Sequence, residues 1–191
     1  SGEQSVITVR FENMPDGILL IRKVCATNPS VTLPDAEFKI VYADGTLIGD
    51  SNGLYRTDEN GEIRIEGLSP GKSVVVTEAS APPGYIIDTQ SQTVQIKEGR
   101  TVSLTFKNQP KGELIIQKRD SATGQPLAGA QFRVTTAAGC EVGLDGVIGD
   151  STLTQNGIFT TDSAGEIRIT NLAPGAYVLT EIKAPQGYVM D

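Results

Sequence analysis

Apolar and polar residues alternate with period two along much of this chain. Glu62-Ile63-Arg64-Ile65-Glu66 and Glu166-Ile167-Arg168-Ile169-Thr170 are the plainest cases. Alternation of this kind predicts half-buried β-strands. Short Val/Ile/Thr-rich runs recur between turn clusters such as NG, ENG, SPG and APG. No segment has the 3.6-residue period of a long amphipathic helix. Many short strands between frequent turns predict an all-β architecture of sandwich type.

The same phrases occur twice. FENMPDGILLIRK (11–23) matches FKNQPKGELIIQK (106–118) at a constant offset, 108 − 13 = 118 − 23 = 95. EFKI (37–40) matches QFRV (131–134), TDENGEIRIEGLSPG (57–71) matches TDSAGEIRITNLAPG (161–175), and VVVTEASAPPGY (74–85) matches YVLTEIKAPQGY (177–188). An internal repeat means tandem copies of one module. The expected boundaries are 16–109 for a complete module and 110–191 for a second one truncated at its C-terminus, without a counterpart of Thr89–Asn108. SVITVRFEN (5–13) matches the closing run TVSLTFKN (101–108), so 1–15 reads as the closing strand of an upstream module. The second copy has a longer middle loop, Thr136–Asn156. The Asn-Gly pairs at 52–53, 60–61 and 156–157 read as hairpin turns.

The strand faces carry an anomaly. Residues i and i±2 share a face. Lys23 therefore lies with Leu19 and Ile21, and Lys118 with Leu114 and Ile116. Glu78 lies with Val74 and Val76, and Glu181 with Tyr177 and Leu179. Asn108 lies with Val102, Leu104 and Phe106, and Asn13 with Ile7, Val9 and Phe11. Each complete module thus sends one Lys, one Glu and one Asn toward its core. Burial is costly unless these groups satisfy one another. One reading is a buried ion pair with an amide hydrogen bond, which adds little net stability. The other is chemical. Desolvation favours an uncharged, nucleophilic amine and an uncharged carboxylic acid. The acid would donate to the Asn carbonyl and relay a proton, while the amine attacks and expels ammonia.

Composition narrows the alternatives. Among 191 residues there is no His and no Trp, and aromatic residues make up 5%. Histidine triads and imidazole–metal sites are excluded, and no cofactor or metal is expected. The net charge of −7 argues against nucleic acid and against contact with an anionic membrane. No apolar run approaches the roughly 18 residues of a membrane span. Cys25 and Cys140 occupy non-equivalent positions, so they read as thiols rather than a repeated staple. The acidic TDENGE and TDSAGE runs lack the alternating carboxylates of a calcium loop.

In order, L-x-I-x-K (Leu19–Lys23, Leu114–Lys118), Ala36-Glu37-Phe38 and Ala130-Gln131-Phe132, TDxxGE, L-x-P-G, TE-x-x-AP-x-GY and F-x-N (Phe106–Asn108) resemble the Cna B-type domains of Gram-positive surface adhesins and pilins, also called SpaA-like or prealbumin-like. The resemblance covers nearly the whole chain. It implies tandem Ig-like, transthyretin-like β-sandwich modules in a stalk, extracellular and cell-wall anchored in the full-length protein, with no turnover of external substrates. It implies a spontaneous Lys–Asn isopeptide bond promoted by Glu. Carried over, Lys23 and Asn108 are the cross-linked pair and Glu78 the promoter. Glu181 is the second promoter, and Lys118 and Asn13 are left without partners inside the chain. An acidic residue often stands two after the Lys; Asp120 fits, whereas Cys25 does not. The expected partners are neighbouring modules of the same array, a second copy by head-to-tail strand donation, and a host surface ligand. The competing reading is a ligand-binding module for host matrix or carbohydrate, using the 136–156 loop and no cross-link.

Overall fold

The computed structural model describes residue 5 and residues 7–143, 145–149 and 157–190. Twelve strands and no helix run through them. The chain divides into two compact units, Ser1–Pro83 with Ile87–Asn108, and Gly84–Ile86 with Gln109–Asp191.

The first unit contains β1 (Gly17–Cys25), β2 (Glu37–Tyr42), β3 (Leu54–Arg56), β4 (Glu62–Leu68), β5 (Ser73–Ser80), β6 (Gln92–Gln95) and β7 (Thr101–Asn108). They form two sheets, ordered β4-β1-β7 and β3-β2-β5-β6. The period-two pattern explains the layers. Leu19, Ile21, Phe38, Ile40, Ile63, Ile65, Val74, Val76 and Phe106 all point inward and make one core. β1 runs antiparallel to β4 but parallel to β7. First and last strands are therefore neighbours, in the register Ile21↔Leu104, Lys23↔Phe106 and Cys25↔Asn108.

The second unit contains β8 (Gly112–Gln117), β9 (Gln131–Thr136), β10 (Ile158–Thr160), β11 (Glu166–Leu172) and β12 (Tyr177–Lys183). β8 pairs with β11, and β9 lies between β10 and β12. Ile116, Val134, Val142, Phe159, Ile167, Ile169 and Leu172 form its core. Among the described residues, nothing occupies the place beside β8 that β7 takes beside β1, or the place beside β12 that β6 takes beside β5.

Some local expectations change. Residues 7–16 form no strand, and Ile7, Val9, Phe11 and Met14 are exposed. Asn60-Gly61 is not a hairpin turn, because β3 and β4 belong to different sheets. Instead Asp58 Oδ1 accepts the Asn60 and Glu62 N–H groups, and the Gly61 N–H bonds the Asp58 carbonyl. Asn52-Gly53 likewise closes no two-residue hairpin, but leads a longer connection into β3, with the Gly53 carbonyl accepting from Ile40. Asn156, and with it part of the long loop, lies outside the described residues. Neither Cys25 nor Cys140 is in a disulfide.

Candidate functional site

Lys23 enters the core because β1 alternates. Leu19, Ile21 and Lys23 are all fully buried on one face. Glu78 enters from β5 two residues after Val76, and Asn108 from the end of β7 two residues after Phe106; both are buried. The two sheets thus bring together three polar side chains that sequence had placed only on inward faces.

The geometry is specific. Lys23 Nζ lies 3.0 Å from Glu78 Oε1, with neither side chain exposed. The approach is off-line, so neither atom makes a directed hydrogen bond among the described residues. Glu78 Oε2 accepts two N–H donors, the Asn108 side-chain amide at 2.8 Å and the Asp88 backbone at 2.8 Å. Asn108 Oδ1 is buried without a hydrogen-bond partner. The Phe38 and Phe106 rings, edge to face at 4.9 Å, wall the site, with Nζ 5.5 and 5.8 Å from their centroids.

Loss of hydration pushes the Lys23 amine below its ordinary value of 10.5, and the contact with Glu78 pulls only partly the other way. Burial is the larger effect, so the site favours the nucleophilic form of the amine more than water does. One expected detail differs. The amide nitrogen of Asn108, not its carbonyl oxygen, faces the carboxylate. A carboxylate has only lone pairs to offer and therefore selects an N–H donor. In consequence the two Glu78 oxygens straddle the amine on one side and the amide nitrogen on the other.

Three supporting groups were not legible as such. Gly61 holds the Lys23 backbone. Its carbonyl accepts the Lys23 N–H at 2.8 Å, while the Lys23 carbonyl accepts from Leu33 at 2.9 Å. A Cβ on Gly61 would stand 2.8 Å from Leu33 N and 2.9 Å from Lys23 O, at a φ of +73°. Gly165 repeats the arrangement beside Lys118, at 2.8 Å from carbonyl to N–H. The TDxxGE motif is thus a close-approach device behind the lysine, which the sequence alone reads only as a turn. Its threonine is a second device. Thr57 Oγ1 accepts the Ala36 N–H and donates to the Leu33 carbonyl, and Thr161 does the same with Ala130 and Leu127. The third group is the Asp88 N–H, which carries no sequence signal because any non-proline residue supplies it.

In the second unit Lys118 Nζ donates to Glu181 Oε2 at 3.0 Å, and Glu181 Oε1 is buried without a partner. The pair is less enclosed, at 18% and 10% side-chain exposure. Nearby, the Tyr188 hydroxyl donates to Asp120 Oδ2 at 2.8 Å. The Thr123 backbone N–H above all, then this tyrosine bond and the Ala122 N–H, hold the Asp120 carboxyl down at about 2. Asn13 is exposed and makes no side-chain hydrogen bond among the described residues. No group of carboxylates and thiols among them could hold a metal ion.

The family model described as SpaA, prealbumin-like fold domain, matches residues 17–110 and again 112–191, and the chain belongs to that family. Among solved structures, a variant of the shaft pilin SpaA from Lactobacillus rhamnosus GG is similar in fold. It is 15% identical, with a TM-score of 0.51, over 91% of this chain and 90% of that one. The Bacillus anthracis TIE protein is 29% identical over 93% of this chain, with a TM-score of 0.49. A streptococcal ancillary pilin is 28% identical over 92% of this chain, also at 0.49. The chain spans 30% of the length of the TIE protein and 56% of that of the ancillary pilin. Compared with the curated proteins, it matches none.

Proposed function

We propose that this chain is a structural stalk segment of a Gram-positive surface adhesin or pilus-like protein, tied by an isopeptide bond between Lys23 and Asn108. The observation that supports it most is one buried cluster joining first and last strands, with Lys23 3.0 Å and Asn108 2.8 Å from the same Glu78 carboxyl. In this reading the module is 16–109, a second module occupies 110–191, and 1–15 belongs to a neighbour upstream. The full-length protein is displayed outside the cell and anchored to the wall, with neighbouring modules of the array as its standing partners.

The chemistry follows from the positions. Uncharged Lys23 Nζ attacks Asn108 Cγ. Glu78 Oε1, beside the amine, takes the proton released as the new N–C bond forms. The same carboxyl group then hands that proton on to the amide nitrogen, which Oε2 faces, as the leaving group departs. One N–C bond forms, another breaks, ammonia departs, and Glu78 ends in the protonation state in which it began. Folding supplies the proximity that the uncatalysed reaction lacks. The event happens once per chain and is not turnover. Its product ties the two neighbouring strands and closes a loop of nearly the whole module, which restricts the unfolded chain as a disulfide does.

The test is intact mass under denaturing conditions, wild type beside Glu78→Ala. The expected result is a wild type lighter by one ammonia and a variant of full mass. A wild type of full calculated mass would leave only a buried polar cluster. A host ligand would instead engage the loop after β9, where Val147 and Ile148 are exposed; a glycan and matrix-protein screen reads that alternative directly.

A further inference from the structure

Among the described residues two Asn-Gly pairs stand in connections of the first unit, and their surroundings differ. In such a pair the second backbone nitrogen can reach the asparagine carbonyl, because glycine has no Cβ to obstruct it. At Asn52-Gly53 the side-chain Oδ1 accepts the Leu54 N–H at 3.0 Å. The ring closed by that bond folds Cγ back toward the Gly53 nitrogen. The same bond polarises the carbonyl and holds the charge that gathers on Oδ1 under attack. The Gly53 N–H donates to Ser51 Oγ at 3.2 Å. Asn52 is exposed and Ser51 half-buried, so a proton taken up by the hydroxyl can pass on to water. Asn60-Gly61 has the opposite arrangement. Its Gly61 N–H donates to the Asp58 backbone carbonyl at 2.9 Å, which has no proton of its own to pass on. No backbone N–H among the described residues reaches the Asn60 side-chain carbonyl. The Asp58 carboxylate accepts the Asn60 and Glu62 N–H groups at 2.9 Å each, and its charge opposes the amide anion that attack requires. Gly61 is also wedged against the Lys23 carbonyl and the Leu33 nitrogen.

We propose that Asn52-Gly53 is a site of spontaneous self-modification: the Gly53 nitrogen closes on Asn52 Cγ, ammonia leaves, and water opens the succinimide to aspartate and isoaspartate, while Asn60-Gly61 is spared. Ser51 Oγ accepts the Gly53 proton as its own passes to water. The Gly53 nitrogen then bonds Asn52 Cγ, with the Leu54 N–H on the oxyanion. The Cγ–Nδ2 bond breaks, and the nitrogen takes a proton from water and departs as ammonia. Folding holds nucleophile and carbonyl together, which is the main advantage over a free chain. Water next adds to either ring carbonyl. Opening at Cγ leaves an aspartate, and opening at the backbone carbonyl leaves an isoaspartate, with the chain running through the side chain. Either way one water is consumed and one ammonia released. The isoaspartate adds one backbone atom just before Gly53, whose carbonyl accepts the Ile40 N–H at 2.8 Å. The pairs Lys39↔Leu54 and Phe38↔Tyr55 follow at once. β3 is the edge strand of its sheet, so the added atom loosens β3 first and leaves β2 paired with β5. The proposal uses a different asparagine from the isopeptide reading and does not rest on it.

The experiment incubates the folded chain in mildly alkaline buffer made with heavy-oxygen water and maps its peptides over time. Ser51→Ala and wild type unfolded in urea are run beside it, and a melting curve checks that the variant keeps the fold. Opening of the succinimide leaves one heavy oxygen in the peptide that held the reacting asparagine, and electron-transfer fragmentation separates aspartate from isoaspartate. In the folded wild type Asn52 should convert at least about tenfold faster than Asn60, the factor that one hydrogen bond to a developing charge supports. In urea the two should convert at similar rates, because both are then unsupported Asn-Gly pairs. Ser51→Ala should slow Asn52 about fivefold in the folded chain, as the loss of one hydrogen bond does, and leave Asn60 unchanged. Equal folded rates, or a faster Asn60, overturn the site. A preference of the same size in urea overturns the folded geometry as its cause. An unchanged rate in Ser51→Ala overturns the proton relay. Conversion at Asn52 changes the mass of one peptide, whereas a Lys23–Asn108 bond joins two, so this reading and the isopeptide reading fail independently.

Discussion

Lys23 and Lys118 each reach a glutamate at 3.0 Å, but only the first pair is sealed. The motifs are the same in both units, from L-x-I-x-K to TDxxGE, and so are the backbone supports from Gly61 and Gly165 and from Thr57 and Thr161. Among the described residues, what differs is the pair of strands β6 and β7, which bring Phe106 and Asn108 and shield β5. With them, Lys23 loses its hydration and its amine is pushed down. The second site is wetter. A Lys–Glu contact does not by itself enclose the amine; in the first unit the added strands supply the enclosure and an amide neighbour.

The comparison breaks most severely at Glu78. On the proposed isopeptide reading, Glu78→Ala should prevent the cross-link, and it should leave Lys23 buried without its counter-charge. The lost loop closure is worth about 4–5 kcal/mol in the chain-entropy picture, and an orphaned buried charge about 3–5 kcal/mol. Calorimetry should show the first unit melting far below wild type. Glu181→Ala in the second unit should cost much less, since Lys118 can turn to water. Equal losses would mean that enclosure does not separate the two sites.

Gly61→Ala comes next. It places a Cβ against the backbone of both Leu33 and Lys23 at a positive φ, which should cost about 1–3 kcal/mol. It should also slow ammonia loss after refolding, because the strand carrying the nucleophile shifts. A mass time course reads the rate and denaturant melts read the stability; a normal rate would show that Gly61 serves the fold alone.

A subtler contrast is pH dependence in Asn108→Ala, which cannot cross-link. The folded value of Lys23 lies below 10.5. Between that folded value and 10.5 the unfolded chain binds the extra proton, so stability should rise with pH across this interval. Below the folded value the penalty is present in full. Melting temperatures of Asn108→Ala measured upward from neutral pH should therefore climb before general alkaline unfolding sets in. Adding Lys23→Met should flatten the curve. The smallest expected effect is Lys118→Met, at most about 1 kcal/mol, as for partly hydrated ion pairs.

Much of this was readable along the chain. Alternation placed β1, β4, β5, β7, β11 and β12 correctly, because a strand's two faces are set by the strand itself. The same alternation put Lys23, Glu78 and Asn108 on inward faces before any contact was known. It could not distinguish turn from scaffold in TDENGE, since close approach of Gly61 to the Lys23 carbonyl depends on a strand far away in sequence. It also read 5–13 as a strand, whereas residues 7–13 carry strand-like alternation but no strand, because a strand needs a ladder partner and the described residues offer them none.

Sequence by itself determined the repeat, the class of fold and the identity of the three polar residues in the core, because hydrophobic period and repeat register are local properties. Only the tertiary structure decided that β1 and β7 lie side by side and parallel, joining residues 23 and 108 across nearly a whole module. It alone turned the Asn108 nitrogen toward Glu78, set the Asp88 N–H against the same oxygen and made one lysine drier than its twin. Those outcomes depend on which strand packs beside which, and on how much water each arrangement excludes.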